Sequence, residues 1–193
     1  SGGTKVELLD ASVKGKTLYA QWNLGEETPP ETTEPEEDVP DTTVPEDTKP
    51  DTTVPEDTTI NLDLDGYTIE VADNWENNGT FNIRNSHPDD NTSNLVMSRT
   101  LTNNGQLNIS DISASSASAN TMFALNNDVN ITNSSFTSET NATIFEATGD
   151  NTTFTADQQT TIRTTTTTDS AKYPFLNSAK NTTINGGTFI SSY

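Results

Sequence analysis

The feature that most constrains this chain is a short pattern, apolar-Asn-apolar, that returns through its second half as Ile60-Asn61-Leu62, Phe81-Asn82-Ile83, Leu107-Asn108-Ile109 and Val129-Asn130-Ile131. The copies stand 21, 26 and 22 residues apart. Two degraded copies, Thr152-Thr153-Phe154 and Thr182-Thr183-Ile184, keep the last apolar position at further intervals of 23 and 30 residues. Side chains alternate along a strand, so each copy sends its two apolar groups to one face and its Asn to the other. Turn-forming pairs precede nearly every copy: Asn78-Gly79, Asn104-Gly105, Asn127-Asp128, Gly149-Asp150 and Lys180-Asn181. A second apolar block recurs late in each unit, as Leu95-Val96-Met97, Met122-Phe123-Ala124-Leu125, Thr143-Ile144-Phe145 and Pro174-Phe175-Leu176.

Self-similarity at such a period marks stacked repeats. One unit cannot bury a core alone, but stacked units bury their inward residues on one another. Variable unit length then falls in loops, which a solenoid tolerates and a sandwich with fixed pairing does not. The sequence therefore predicts an all-β right-handed parallel β-helix over residues 60–193, in preference to an immunoglobulin-like sandwich. Asn85, Asp111 and Asn133 each stand two residues after an inward apolar anchor. They are expected to stack into a ladder of hydrogen bonds between coils.

Composition agrees with a thin core. Hydrophobic residues make up 29% of the 193, too few for a large Leu-rich helical core. A net charge of −20 repels phosphate backbones and anionic lipid, which argues against nucleic acid and membrane partners. With no cysteine there is no disulfide frame, thiolate zinc site or thiol nucleophile. The chain has no initiator methionine, signal peptide or membrane-length apolar run, and it starts and stops in mid-pattern. It reads as an excised fragment of a longer protein.

The charge is uneven: +1 over residues 1–24, −12 over 25–59 and −9 over 60–193. The middle segment carries prolines at a five-residue interval from Pro30 to Pro55, and repeats Asp-Thr-Thr-Val-Pro-Glu-Asp-Thr at Asp41–Thr48 and Asp51–Thr58. It has almost nothing to bury, and proline holds it extended. At roughly 3.1 Å per residue such a segment reaches on the order of 100 Å, which makes it a disordered, semi-rigid spacer. A proline-rich docking motif or a glycosylated stalk is the alternative reading.

Residues 1–24 hold Gly2-Gly3-Thr4-Lys5-Val6 and the alternating run Leu18-Tyr19-Ala20-Gln21-Trp22 after a turn at Gly15. This piece resembles the C-terminal end of the internalin-type B-repeat, a β-grasp-like module of bacterial surface proteins. The resemblance implies a partial repeat, with an unrelated β-hairpin as the alternative. Further on, Leu62-Asp63-Leu64-Asp65-Gly66-Tyr67-Thr68-Ile69 resembles the opening coil of the pectate-lyase-like β-helix superfamily. That resemblance implies the fold and leaves the activity open, since the fold serves lyases, hydrolases and adhesins alike.

Candidate sites are sparse. Polyuronide hydrolysis in that superfamily uses clustered aspartates near a catalytic His, and the one histidine here is His87, in the loop His87-Pro88-Asp89-Asp90. It reads as a polar loop tip. Lyase chemistry wants calcium on several carboxylates and a base for the α-proton. Arg84, Arg99 and Arg163 all stand away from any carboxylate cluster in the register inferred from the repeat. Asn61-x-Asp63-x-Asp65-Gly66 begins like an EF-hand loop, but its twelfth position is Ala72. The strand reading places Ile60, Leu62 and Leu64 inward and the carboxylates outward. Thr164 to Thr168 read as β-branched residues on a solvated strand or loop, with an ice- or glycan-binding face as the alternative. Eight Asn-x-Ser/Thr sequons, beginning at Asn78, Asn91, Asn108, Asn130, Asn133, Asn141, Asn151 and Asn181, suit an Asn- and Thr-rich chain by chance.

No residue is therefore given a catalytic, cofactor-binding or metal-binding role, and no cofactor is expected. The expectation is a non-enzymatic adhesin or display fragment, extracellular at a bacterial cell surface or wall. Its partners would be glycans or proteins of a host or neighbouring cell. The alternative is a polysaccharide-acting β-helix whose catalytic coils lie outside the fragment.

Overall fold

A computed structural model of the chain describes residues 17–19, 52–88, 95–165 and 173–192, with the backbone alone for Thr17–Tyr19 and Ser192. The described residues form strands and turns, with no helix among them. After β1 (Thr17–Tyr19) come six rungs of three strands each. They are β2 (Thr53–Val54), β3 (Thr59–Asp63) and β4 (Ile69–Val71); β5 (Trp75–Asn77), β6 (Thr80–Arg84) and β7 (Leu95–Met97); β8 (Leu101–Asn103), β9 (Gln106–Ser110) and β10 (Ser113–Ser116). The last three are β11 (Thr121–Leu125), β12 (Val129–Thr132) and β13 (Ser135–Ser138); β14 (Thr143–Ala147), β15 (Asn151–Ala156) and β16 (Thr161–Thr165); β17 (Phe175–Asn177), β18 (Asn181–Asn185) and β19 (Thr188–Ser192).

Every third strand pairs in parallel with its counterpart one rung on, which gives three sheets and a parallel β-helix. Sheet 1 runs β1-β3-β6-β9-β12-β15-β18, sheet 2 runs β4-β7-β10-β13-β16-β19, and sheet 3 runs β2-β5-β8-β11-β14-β17. The first rung starts at Thr53, inside the second copy of the proline-bearing repeat. Of the Leu18 to Trp22 run, Leu18 and Tyr19 belong to β1, which pairs with Asn61–Asp63 as the outermost strand of sheet 1. Residues 1–16 and 20–51, with most of the partial repeat and the spacer, lie outside the described residues.

The apolar-Asn-apolar copies form sheet 1 in register. Ile60, Phe81, Leu107 and Val129 make one column, Leu62, Ile83, Ile109 and Ile131 a second, and Asn61, Asn82, Asn108 and Asn130 the column between them. The fifth rung departs from the alignment by sequence. Phe154 stands beside Val129, at the first apolar position, and Ala156 stands beside Ile131. A slip of two residues leaves every side chain on its own face, so alternation alone cannot see it. Packing chooses the register: Phe154 meets Phe145 at 5.1 Å and Phe175 at 5.3 Å.

The second apolar block resolves into two sheets. Leu95–Met97 belongs to sheet 2, whereas the blocks at Met122, Thr143 and Phe175 belong to sheet 3. Between them, Trp75, Leu101, Phe123, Phe145 and Phe175 form one column of sheet 3, and Leu95, Ala114, Phe136, Ile162 and Phe189 form one column of sheet 2. The core is aliphatic toward its start, with Ile60, Leu64, Val71, Leu95 and Met97 buried. Toward its end it becomes a stack of phenylalanines from all three sheets. Among the described residues Ile60 of the first rung is 0% exposed, and Ile184, in the same column of the last described rung, is 47% exposed.

Candidate functional site

The polar equipment of the helix is a set of amide ladders. On the outer face of sheet 1, Asn82 Nδ2 donates to Asn61 Oδ1 at 2.7 Å, Asn108 Nδ2 to Asn82 Oδ1 at 2.7 Å, and Asn130 Nδ2 to Asn108 Oδ1 at 3.2 Å. All four amides therefore point the same way along the axis. Each keeps a second N–H or lone pair for a ligand, because an amide offers two donors and two acceptor sites. The turns from sheet 3 into sheet 1 carry a parallel ladder. There Asn104 Nδ2 donates to Asn78 Oδ1 at 2.8 Å, Asn126 Nδ2 to Asn104 Oδ1 at 2.6 Å, and Thr148 Oγ1 to Asn126 Oδ1 at 2.5 Å. Gly79 and Gly105 let these turns stack closely: a Cβ on Gly105 would fall 2.0 Å from the Gly79 carbonyl oxygen. Together the turns border a polar groove of about 400 Å³ lined by Asp57, Thr59, Thr80, Gln106 and Asn127.

One residue earlier in each turn lies an inward ladder. Asn77 Nδ2 donates to Asn103 Oδ1 at 2.7 Å and to the Gln106 carbonyl at 3.0 Å, and Asn103 Nδ2 donates to the carbonyls of Asn127 and Asp128. Both side chains are fully buried. The Asn77 Oδ1 finds no donor, because Val54 occupies that column in the first rung. Sequence reading took Asn78-Gly79 and Asn104-Gly105 as turns and missed the residue before them. The signal was there in the doublets Asn77-Asn78 and Asn103-Asn104.

Of the expected turn ladder, Asn133 Nδ2 donates to Asp111 Oδ1 at 2.8 Å, and both residues take positive φ, 44° and 57°. Short polar side chains tolerate that region best after glycine, which explains the residue types there. The next rung continues with Asp157, whose Oδ2 accepts from the Asn133 backbone at 2.9 Å. The Thr160 hydroxyl, and after it backbone donors, hold the Asp157 carboxyl below its ordinary pKa. Asn85 instead accepts from the Gly66 N–H at 2.7 Å and turns toward the His87 loop.

The charged corner corrects one sequence expectation and refines another. Asp63 does not face solvent: its side chain is 1% exposed, with Arg84 Nη2 2.7 Å and Nε 2.9 Å from its Oδ2. Its Oδ1 accepts from the backbone N–H of Ser86 at 3.0 Å and of Asp65 at 3.1 Å. Arg84 stands beside one carboxylate, though not a cluster of them, because equal positions on adjacent rungs face each other and Asp63 is in register with Arg84. His87 Nδ1 lies 2.6 Å from Asp65 Oδ1, which the Ser86 hydroxyl also reaches. With both oxygens of Asp63 engaged by its own chain, the EF-hand-like reading loses its central ligand. Among the described residues no three His, Cys, Asp or Glu side chains gather as a metal site.

Arg99 and Arg163 are exposed and stand apart from this corner, and Arg99 donates to the Ser98 carbonyl. Thr164 is buried in β16, so it cannot belong to an outer hydroxyl face, while Thr166–Thr168 lie outside the described residues.

Burial pushes the Asp63 pKa up, and the N–H groups of Ser86 and Asp65 together with Arg84 outweigh it, leaving the carboxyl below its ordinary value. A depressed carboxyl contributes stability that is full above about pH 4 and is lost as pH falls through the folded-state value. Asp63→Ala strands two backbone donors and is expected to cost about 2–3 kcal/mol at neutral pH. In urea titrations at stepped pH, the gap between the native chain and the variant should narrow toward acid.

Fold and ladders together define the class, a parallel β-solenoid with amide-laddered turns. Comparison with family models, with curated proteins and with solved structures found no match.

Proposed function

We propose that the chain is a non-catalytic binding and display module of an extracellular bacterial surface protein. In this reading the β-helix is held outward by the Pro/Thr/acidic spacer and bound by a glycan or protein of a host or neighbouring cell. The observation that carries it is the outward ladder Asn61-Asn82-Asn108-Asn130. Amides repeating once per rung, about 4.8 Å apart, offer equal donors and acceptors to a polymer whose own hydroxyls or peptide groups repeat. Contacts that are individually weak then act at high effective concentration. The net charge of −20 favours a neutral or cationic ligand over a polyanion. The B-repeat-like Gly2–Val6 and Leu18–Trp22 motifs support surface placement.

The test is a glycan and matrix-protein array probed with the full chain and with an Asn82→Ala/Asn108→Ala variant. Binding that the double variant loses while remaining folded supports the reading. Release of reducing or unsaturated sugar from any arrayed polysaccharide overturns it. That outcome would favour the polysaccharide-acting alternative, for which the Asp65–His87 contact is a candidate acid-base pair.

A further inference from the structure

The four amides of the outward ladder on sheet 1 are not equivalent. Asn82 spends one N–H on Asn61 and accepts one bond from Asn108, so it keeps a second N–H and a second lone pair. Asn108 is filled differently. Its Oδ1 accepts from Asn130 at 3.2 Å and from Gln106 Nε2 at 3.2 Å, which takes both lone pairs, and one of its N–H groups goes to Asn82. What Asn108 has left is a donor.

The face around the ladder carries little charge for a chain of net −20. Over the first four rungs Asp63 and Arg84 neutralise each other, which leaves Asp128.

Taking the ladder as the bound surface, as proposed above, we infer that its partner is the same face of a second copy, packed about a two-fold axis that runs along the strands between the second and third rungs. Such an axis reverses the solenoid direction and keeps each column opposite itself. It sets Asn108 of each copy against Asn82 of the other, so a spare N–H meets a spare lone pair twice. An axis along the solenoid would instead set Asn108 against Asn108, donor against donor. The antiparallel arrangement also opposes no like charges, because Asp128 meets Thr59, Asp63 meets Thr132 and Arg84 meets Ser110. The amides of each ladder point one way along its axis, so the two ladders lie with their dipoles opposed. A second copy repeats at the same interval of about 4.8 Å, and no drift accumulates from rung to rung.

Four rungs of five-residue strands cover on the order of 300 Å² per copy, against about 800 Å² per partner in a stable complex. One pair is therefore weak, and pairing takes hold where many copies face one another, as on adjoining cells. The charge on each copy opposes approach, so salt strengthens the contact.

The chain has no cysteine, so thiols placed on the face report the pairing. Full chains carrying Thr80→Cys or Gln106→Cys, positions that the axis sets opposite each other, are mixed and oxidised at stepped protein and salt concentrations. The mixed disulfide should exceed either homodisulfide at least about tenfold, against roughly twofold for random collision, and its yield should rise with salt. A random distribution, an excess of homodisulfide or a yield that falls with salt overturns the inference. If either variant loses its native circular dichroism spectrum, Thr59→Cys with Asp128→Cys reads the same axis. Ladder-dependent binding on the glycan and matrix array with a random disulfide distribution would keep the ladder as a binding surface and remove the second copy as its occupant. A dominant mixed disulfide with a blank array would keep the second copy and remove the foreign ligand.

Discussion

Phe145→Ala is expected to cost about 3–5 kcal/mol, read as a fall in the urea midpoint. Phe145 is fully buried and lies 5.0 Å from Phe123, 4.9 Å from Phe136 and 5.1 Å from Phe154, centroid to centroid. It joins rings from all three sheets, so its loss removes three aromatic contacts as well as the buried area. The cavity can shrink little, because its walls are sheets whose spacing is fixed by backbone pairing from rung to rung. Since each rung contacts only its neighbours, the damage should also be local. The aliphatic rungs around Leu95 and Leu101 are expected to melt after the aromatic ones, splitting one unfolding transition into two. Phe175→Ala, at a half-buried ring of the last rung, should cost about 1–2 kcal/mol and leave the transition single.

What the sequence could reveal follows from what each signal encodes. Alternation and spacing identify which residues face inward and how often a strand returns, so Ile60, Phe81, Leu107 and Val129 were visible as equivalents, and the solenoid with them. Alternation is blind to displacement by two. Phe154 was accordingly set against Ile131, and only its packing on Phe145 and Phe175 shows that it belongs beside Val129. Lateral partners were in part legible. Asp63 and Arg84 sit 21 residues apart, the interval between the first two copies of the repeat, so the spacing already implied their pairing; the burial of Asp63 was what it did not show. The inward ladder was missed because a turn explains Asn before Gly so readily that a second Asn attracts no notice. Asn77 and Asn103 are buried polar residues, a class that propensity assigns to the surface and that only a set of waiting partners can bring inside.

Those partners make Asn103→Asp the most informative single change in the helix. The substitution is nearly isosteric, yet it turns a donor into an acceptor. Asn103 Nδ2 lies 3.3 Å from the Asn127 carbonyl oxygen and 3.1 Å from that of Asp128, so a carboxylate oxygen in its place would face two carbonyls from a fully buried position. The Asn77 amide would still donate to the other oxygen, but one N–H cannot offset the transfer of a charge out of water. At neutral pH the expected cost is about 3–5 kcal/mol, the range for an uncompensated buried charge. Protonation relieves it, since a neutral carboxylic acid again presents a hydrogen to the Asn127 and Asp128 carbonyls. The introduced carboxyl should therefore have a folded-state pKa raised above its unfolded one. The folded state binds the extra proton, so the variant regains stability as pH falls through that raised value and loses it as pH rises. Asp63 imposes the opposite slope on the native chain, whose depressed carboxyl gives up stability in acid. Urea midpoints measured from neutral pH down toward pH 4 should thus converge for the two proteins, and Asn103→Leu, which cannot titrate, should stay offset from the native chain by a constant amount. Parallel curves for Asn103→Asp and the native chain would mean that position 103 is open to water and that the inward ladder does not hold the turns.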